Sequence, residues 1–128
     1  MGLLIATLAL AAAQPAGEVP ADDEIVVMGN KLRDWRGSWR VRYGVVKCKT
    51  KRSTGDREID AIGCSAMVTC MTPLVPQWRE IEDADLPKAE LKSRLNGLLQ
   101  STKVGNCFGT VRAHGIAAVV AARRGKRT

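Results

Sequence analysis

Apolar and polar positions alternate along residues 39–45, with Trp39, Val41, Tyr43 and Val45 on one parity and Arg40, Arg42 and Gly44 on the other. A period of two marks a strand with one buried face. The phase then slips. Val46 and Cys48 become the apolar positions, separated by Lys47 and followed by Lys49 and Lys51. One extra residue near Val45 and Val46 restores the phase, so a β-bulge is expected beside Gly44. In the stretch 57–71, REIDAIGCSAMVTCM, Ile62, Cys64, Ala66, Val68 and Cys70 share one parity. The opposite parity is small and mildly polar, as in a strand covered on both sides. A buried helix is the rival assignment, because the alternation is imperfect and Ala and Met favour helix. The strand reading makes residues 40–51 and 58–70 two strands around a turn at Ser53, Thr54, Gly55 and Asp56.

The apolar run EIVVM at 24–28 is rich in β-branched residues and is expected to form a short strand, stopped by Gly29 and Asn30. Residues 23–29, DEIVVMG, resemble the opening plug strand of TonB-dependent outer-membrane receptors. A chain of 128 residues is far too short for the barrel of that family, and no function is carried over from it. Residues 31–37 are basic, and read as one helical turn or a loop that turns Trp35 inward. Pro73 and Pro76 break regular structure.

The clearest helix spans 83–100, with Asp85 as its cap and Pro87 in its first turn. Leu91, Leu95, Leu98 and Leu99 form its inward stripe, and Lys92 and Arg94 its charged side. After the break at Gly105 and Asn106, residues 107–111 suggest a short strand, and 116–122 a last strand or a short helix. Together these elements predict a small disulfide-stapled α+β domain with a short antiparallel sheet and one main helix.

The N-terminal end changes the expected location. Residues 3–13 are apolar apart from Thr7 and end in three alanines. That is too short to span a bilayer, which takes about 20 apolar residues. It matches a secretory signal peptide over 1–13, although no Lys or Arg precedes the apolar run. Residues 14–23 read as a flexible leader, 24–122 as a single domain, and 123–128 as a solvated basic tail. The expected location is periplasmic or secreted, with no membrane-spanning segment after cleavage.

Export gives meaning to the cysteines. Cys48, Cys64, Cys70 and Cys107 are an even set in a small domain, which reads as two disulfides. A redox C-x-x-C pair is absent, and the spacings lack the short knuckle of a zinc site. Neither a metal nor a cofactor is expected. Three pairings are possible. Placing Cys48 and Cys64 near each other across adjacent strands leaves Cys70 for Cys107.

The formal net charge is +7, and it is unevenly placed. Residues 31–58 hold ten basic and three acidic residues, and residues 92–127 hold eight basic residues and no acid. Arg40, Arg42, Lys47, Lys49, Lys51 and Arg52 form the candidate anion-binding patch. The plainer reading is a solvated face that keeps a basic protein soluble. In an exported setting the partners of such a patch are anionic lipid, polysaccharide or an acidic envelope protein. Nucleic acid is disfavoured, since no aromatic stacking platform is visible among five aromatic residues.

Catalytic signals are sparse. His114 is the single histidine, and no G-x-S-x-G, P-loop or dinucleotide motif occurs. Glu80, Glu82, Asp83, Asp85 and Glu90 cluster around the expected helix entrance, where acids favour the helix dipole. The expectation is therefore a non-catalytic interaction or structural protein. The alternative is a small secreted hydrolase of a wall or nucleic-acid polymer, using His114 with an acid.

Overall fold

A computed structural model describes residues 21–127. The signal peptide and most of the leader expected from the sequence lie outside the described residues. The described chain runs α1 (Ala21–Asp34), β1 (Arg36–Arg42), β2 (Val45–Arg52), α2 (Arg57–Met71), a 3-10 turn (Thr72–Leu74), α3 (Val75–Asp83), α4 (Lys88–Ser101) and α5 (Val104–Arg127). The α+β class, the short antiparallel sheet and the two disulfides are as expected. The helical part is larger than one main helix, with five α-helices among the described residues.

The sheet is a hairpin of β1 and β2, paired Val41 to Val46, Trp39 to Cys48 and Gly37 to Thr50. Its turn is Tyr43–Gly44, whose φ angles of 51° and 74° are both left-handed, as a type I′ turn requires. This corrects the bulge expected beside Gly44. The parity slips there because a two-residue turn joins antiparallel strands and exchanges odd for even inward positions. The register irregularity lies instead between Arg36 and Gly37.

Residues 58–70 do not return as a strand. They belong to α2, whose buried residues Ile59, Ile62, Gly63, Ala66, Cys70 and Met71 follow helical spacing. The expected turn at 53–56 is the junction from β2 into this helix. Asp56 caps α2, its carboxylate accepting from the N–H groups of Glu58 at 3.0 Å and Ile59 at 3.4 Å.

Four further local readings change. EIVVM is helical, and α1 buries Met28 and Leu32 one turn apart while Val26 and Val27 face outward. Residues 107–111 are helical, not a strand, and 116–122 take the helical of their two readings, both within the single helix α5. The main helix breaks at 84–87, where Asp85 is left-handed and Pro87 occupies the N-cap position of α4 without a side-chain cap. Pro87 disfavours helical geometry at the residue before it. Residues 123–127 continue α5 instead of forming a tail; Arg123 and Arg124 pair with Asp56 and Glu24.

Two cores meet along α2. One joins α1, α2 and α5 through Met28, Leu32, Trp35, Ile59, Ile62, Ile116 and Val120. The other joins β2 to the end of α2 and the start of α3 through Val46, Met71, Leu74 and Val75. Trp39 from β1 meets Trp78 of α3 edge to face at 4.5 Å beside this second core. The Arg112 guanidinium lies 5.9 Å from the Trp35 ring and 6.0 Å from the Phe108 ring.

Cys48–Cys64 ties β2 to α2, and Cys70–Cys107 ties the end of α2 to α5. These are the pairs favoured by the sequence, reached by a different geometry. Cys64 approaches the hairpin from a helix packed beneath it, not from a neighbouring strand.

Candidate functional site: the outer face of the hairpin

The pleat divides the hairpin into two faces. Trp39, Val41, Val46, Cys48 and Thr50 are buried or half-buried toward the helices, while Ser38, Arg40, Arg42, Val45, Lys47 and Lys49 are exposed. Four of the predicted cations therefore share one face. Arg40 stands directly opposite Lys47, Ser38 opposite Lys49, and Arg42 opposite Val45. Lys51 and Arg52 are also exposed, but lie at the far end where the register shifts and Arg52 pairs with Arg36.

No Asp or Glu occurs between Asp34 and Asp56, so the hairpin carries no internal countercharge. Among the described residues, the side-chain ion pairs are Arg94–Glu90, Arg123–Asp56, Arg123–Glu58 and Arg124–Glu24, and none involves the six candidate cations. A depression of about 320 Å³ lies along the hairpin, lined by Ser38, Arg40, Lys47, Lys49 and Lys51 together with Trp39 and Cys48.

The tip adds residues that the sequence reading left out of the patch. Tyr43 is 96% exposed and Val45 50% exposed. Arg79 of α3 reaches the turn; a Cβ on Gly44 would lie 3.9 Å from its guanidinium. Arg79 sits in a stretch that reads as acidic, so only folding places it beside Gly44. Arg36 is engaged elsewhere, donating to the carbonyls of Arg33 at 2.7 Å and Trp35 at 2.9 Å near the end of α1.

The hairpin is held from below. The Trp35 indole N–H donates to Thr50 Oγ1 at 3.0 Å, and Cys48–Cys64 fixes the neighbouring position to α2. At the base of β2, Asp60 accepts from the Ser53 hydroxyl and from the Thr54 N–H and hydroxyl, both at 2.8 Å. The Ser53 hydroxyl and then the Thr54 N–H hold the Asp60 carboxyl below the usual range. Burial alone would raise the Asp56 carboxyl; the Arg123 hydrogen bond at 2.7 Å, the Ile59 N–H and the Arg123 charge outweigh it, and the net shift is downward. Asp56 in turn raises Arg123, which stays charged.

The other candidates are not brought together. His114 is exposed on α5 and makes no hydrogen bond or ion pair among the described residues. An apolar groove of about 350 Å³ between α2 and α5 is lined by Ala61, Ile62, Val111, Gly115 and Val119, with Glu58 and Ser65 at its edge. His114 does not line it. Glu80, Glu82, Asp83, Asp85 and Glu90 are exposed over α3, the 84–87 break and α4. No group of three potential metal ligands occurs among the described residues.

The helical path Arg57–Asp83 is long and apolar enough to cross a membrane by length and composition. Here Ile59, Ile62, Ala66, Cys70 and Met71 are buried in the domain's own cores, and both disulfides anchor this helix to its neighbours.

No protein-family model matches the chain, and no curated protein and no solved structure matches it.

Proposed function

We propose that this is an exported, non-catalytic binding protein of the periplasm or extracellular space. It docks on an anionic envelope surface or an acidic envelope protein through the outer face of its hairpin. The observation that carries this reading is the directly opposed pair Arg40 and Lys47, flanked by Arg42 and Lys49 with no acid in the hairpin. Like charges directly opposite each other destabilise a strand pair. An anionic partner converts that repulsion into attraction and speeds encounter through the long-range field. The two disulfides support an oxidising compartment, because cytosolic thiols are kept reduced.

Retention on immobilised heparin, used as a soluble-type polyanion, tests the surface. The wild type is expected to be retained and to elute with salt. The variant Arg40→Ser, Arg42→Ser, Lys47→Ser, Lys49→Ser is expected to elute far earlier with its circular dichroism unchanged. Equal elution of the two proteins rejects the reading. The intact mass of protein from its native host tests the compartment: loss of residues 1–13 and four oxidised thiols is expected, and a full-length chain with four free thiols contradicts it.

A further inference from the structure

The hairpin tip carries a feature that a soluble polyanion does not use. Tyr43 is 96% exposed although it occupies a turn position with φ of 51°. That conformation suits Gly, Asn or Asp, and a bulky residue there is strained. The ring gains little inside the fold in return for the strain. Its sequence neighbour across the turn, Val45, is 50% exposed and stands opposite Arg42. Arg40 and Lys47 stand one pair further along the outer face, and Arg79 reaches the turn at Gly44 from α3.

An apolar and aromatic tip with cations close behind it matches the layered chemistry of a lipid surface. Tyrosine places its ring at headgroup level, with its hydroxyl toward water. Arg and Lys side chains extend their heads to the phosphates while their stems lie along apolar material. Each cation near an anionic leaflet adds to the attraction. Resting on the proposal above that the hairpin's outer face binds anions, we infer that the partner is an anionic phospholipid bilayer. Tyr43 and Val45 enter its headgroup region, and Arg40, Arg42, Lys47 and Arg79 engage its phosphates. The protein lies on the membrane and does not span it.

Co-sedimentation with phosphatidylglycerol vesicles, phosphatidylcholine vesicles and, in parallel, retention on heparin tests this. The variant Tyr43→Asn, Val45→Thr keeps a residue compatible with the turn and a β-branched strand residue, so the fold is retained. The wild type is expected on phosphatidylglycerol and not on phosphatidylcholine. The double variant is expected to bind phosphatidylglycerol about tenfold more weakly, the factor that corresponds to about 1.4 kcal/mol, with unchanged elution from heparin. Equal vesicle binding by wild type and double variant overturns the inference. Wild-type retention on heparin without vesicle binding also overturns it, in favour of a polysaccharide or acidic protein, and leaves the anion-binding surface standing. Binding to neither probe overturns both.

Discussion

The Trp35 indole occupies the space where a side chain on Gly63 would begin. A Cβ at Gly63 would lie 2.5 Å from the ring, and one at Gly37 would lie 2.2 Å from its far edge. The largest side chain of the first core is thus seated between two glycines, one on α2 and one on β1. This contact sets how closely the hairpin can approach the helix that carries it.

Gly63→Ala is therefore expected to destabilise the domain, against the usual effect of alanine in a helix. Overpacking costs about 1–3 kcal/mol, and the propensity gain returns about 1 kcal/mol. Gly97→Ala, in the open surface of α4, lacks any such contact and is expected to stabilise by up to about 1 kcal/mol. Urea denaturation of both variants checks the opposite signs. Stabilisation by Gly63→Ala would contradict the packing described.

The two disulfides close loops of different size. Cys48–Cys64 spans a separation of 16 residues and Cys70–Cys107 one of 37. In the chain-entropy model these contribute about 3 and about 4 kcal/mol. Paired Cys→Ala variants are expected to lower the urea midpoint in that order. A larger loss from the shorter loop would locate the effect in native packing at the hairpin.

Acid titration is expected to reveal Asp56 and Asp60. Both carboxyls are lowered in the folded protein. The stability they supply is fully present above the unfolded aspartate pKa of about 3.9 and is lost as pH falls through the lower folded values. Stability should hold steady at mildly acidic pH and decline below about pH 4. Asp56→Asn keeps a capping side chain but removes the charge beside Arg123, so it should flatten part of that decline. An unchanged pH profile in this variant would contradict the role of the pair.

Tyr43→Asn alone is expected to raise stability by about 1 kcal/mol, because a left-handed conformation costs an ordinary residue about 1–2 kcal/mol and asparagine less. Thermal unfolding measures it. A lower midpoint would mean that the Tyr43 ring makes a stabilising contact despite its exposure.

Much of the candidate site was legible in the chain. The alternation at 39–45 marked the strand, and the lysines at 47, 49 and 51 marked the outward side of its partner. The phase slip that suggested a bulge was the signature of a two-residue turn at Tyr43–Gly44, obscured because tyrosine is not the residue such a turn prefers. In α2, Ile59, Ile62, Ala66 and Cys70 have helical spacing, yet Ile62, Cys64, Ala66 and Cys70 also have strand parity. Both patterns fit the same letters, and Asp56 as an N-cap favours the helix without by itself separating them.

By itself the sequence determined that there would be a strand with a basic outer side, enough cysteines for two staples, and a small α+β domain. These follow from residue type and short-range period. Only the tertiary structure decided that 21–34, 57–71 and 104–127 are helices, because Val, Cys and Gly there have weak helix propensity. Their helicity comes from packing: Gly115 lies close enough to α2 that a Cβ would meet Ile62 at 2.9 Å, and Gly63 seats Trp35. Tertiary structure alone also brought Arg79 to the turn at Gly44, because that proximity joins segments with no local pattern in common.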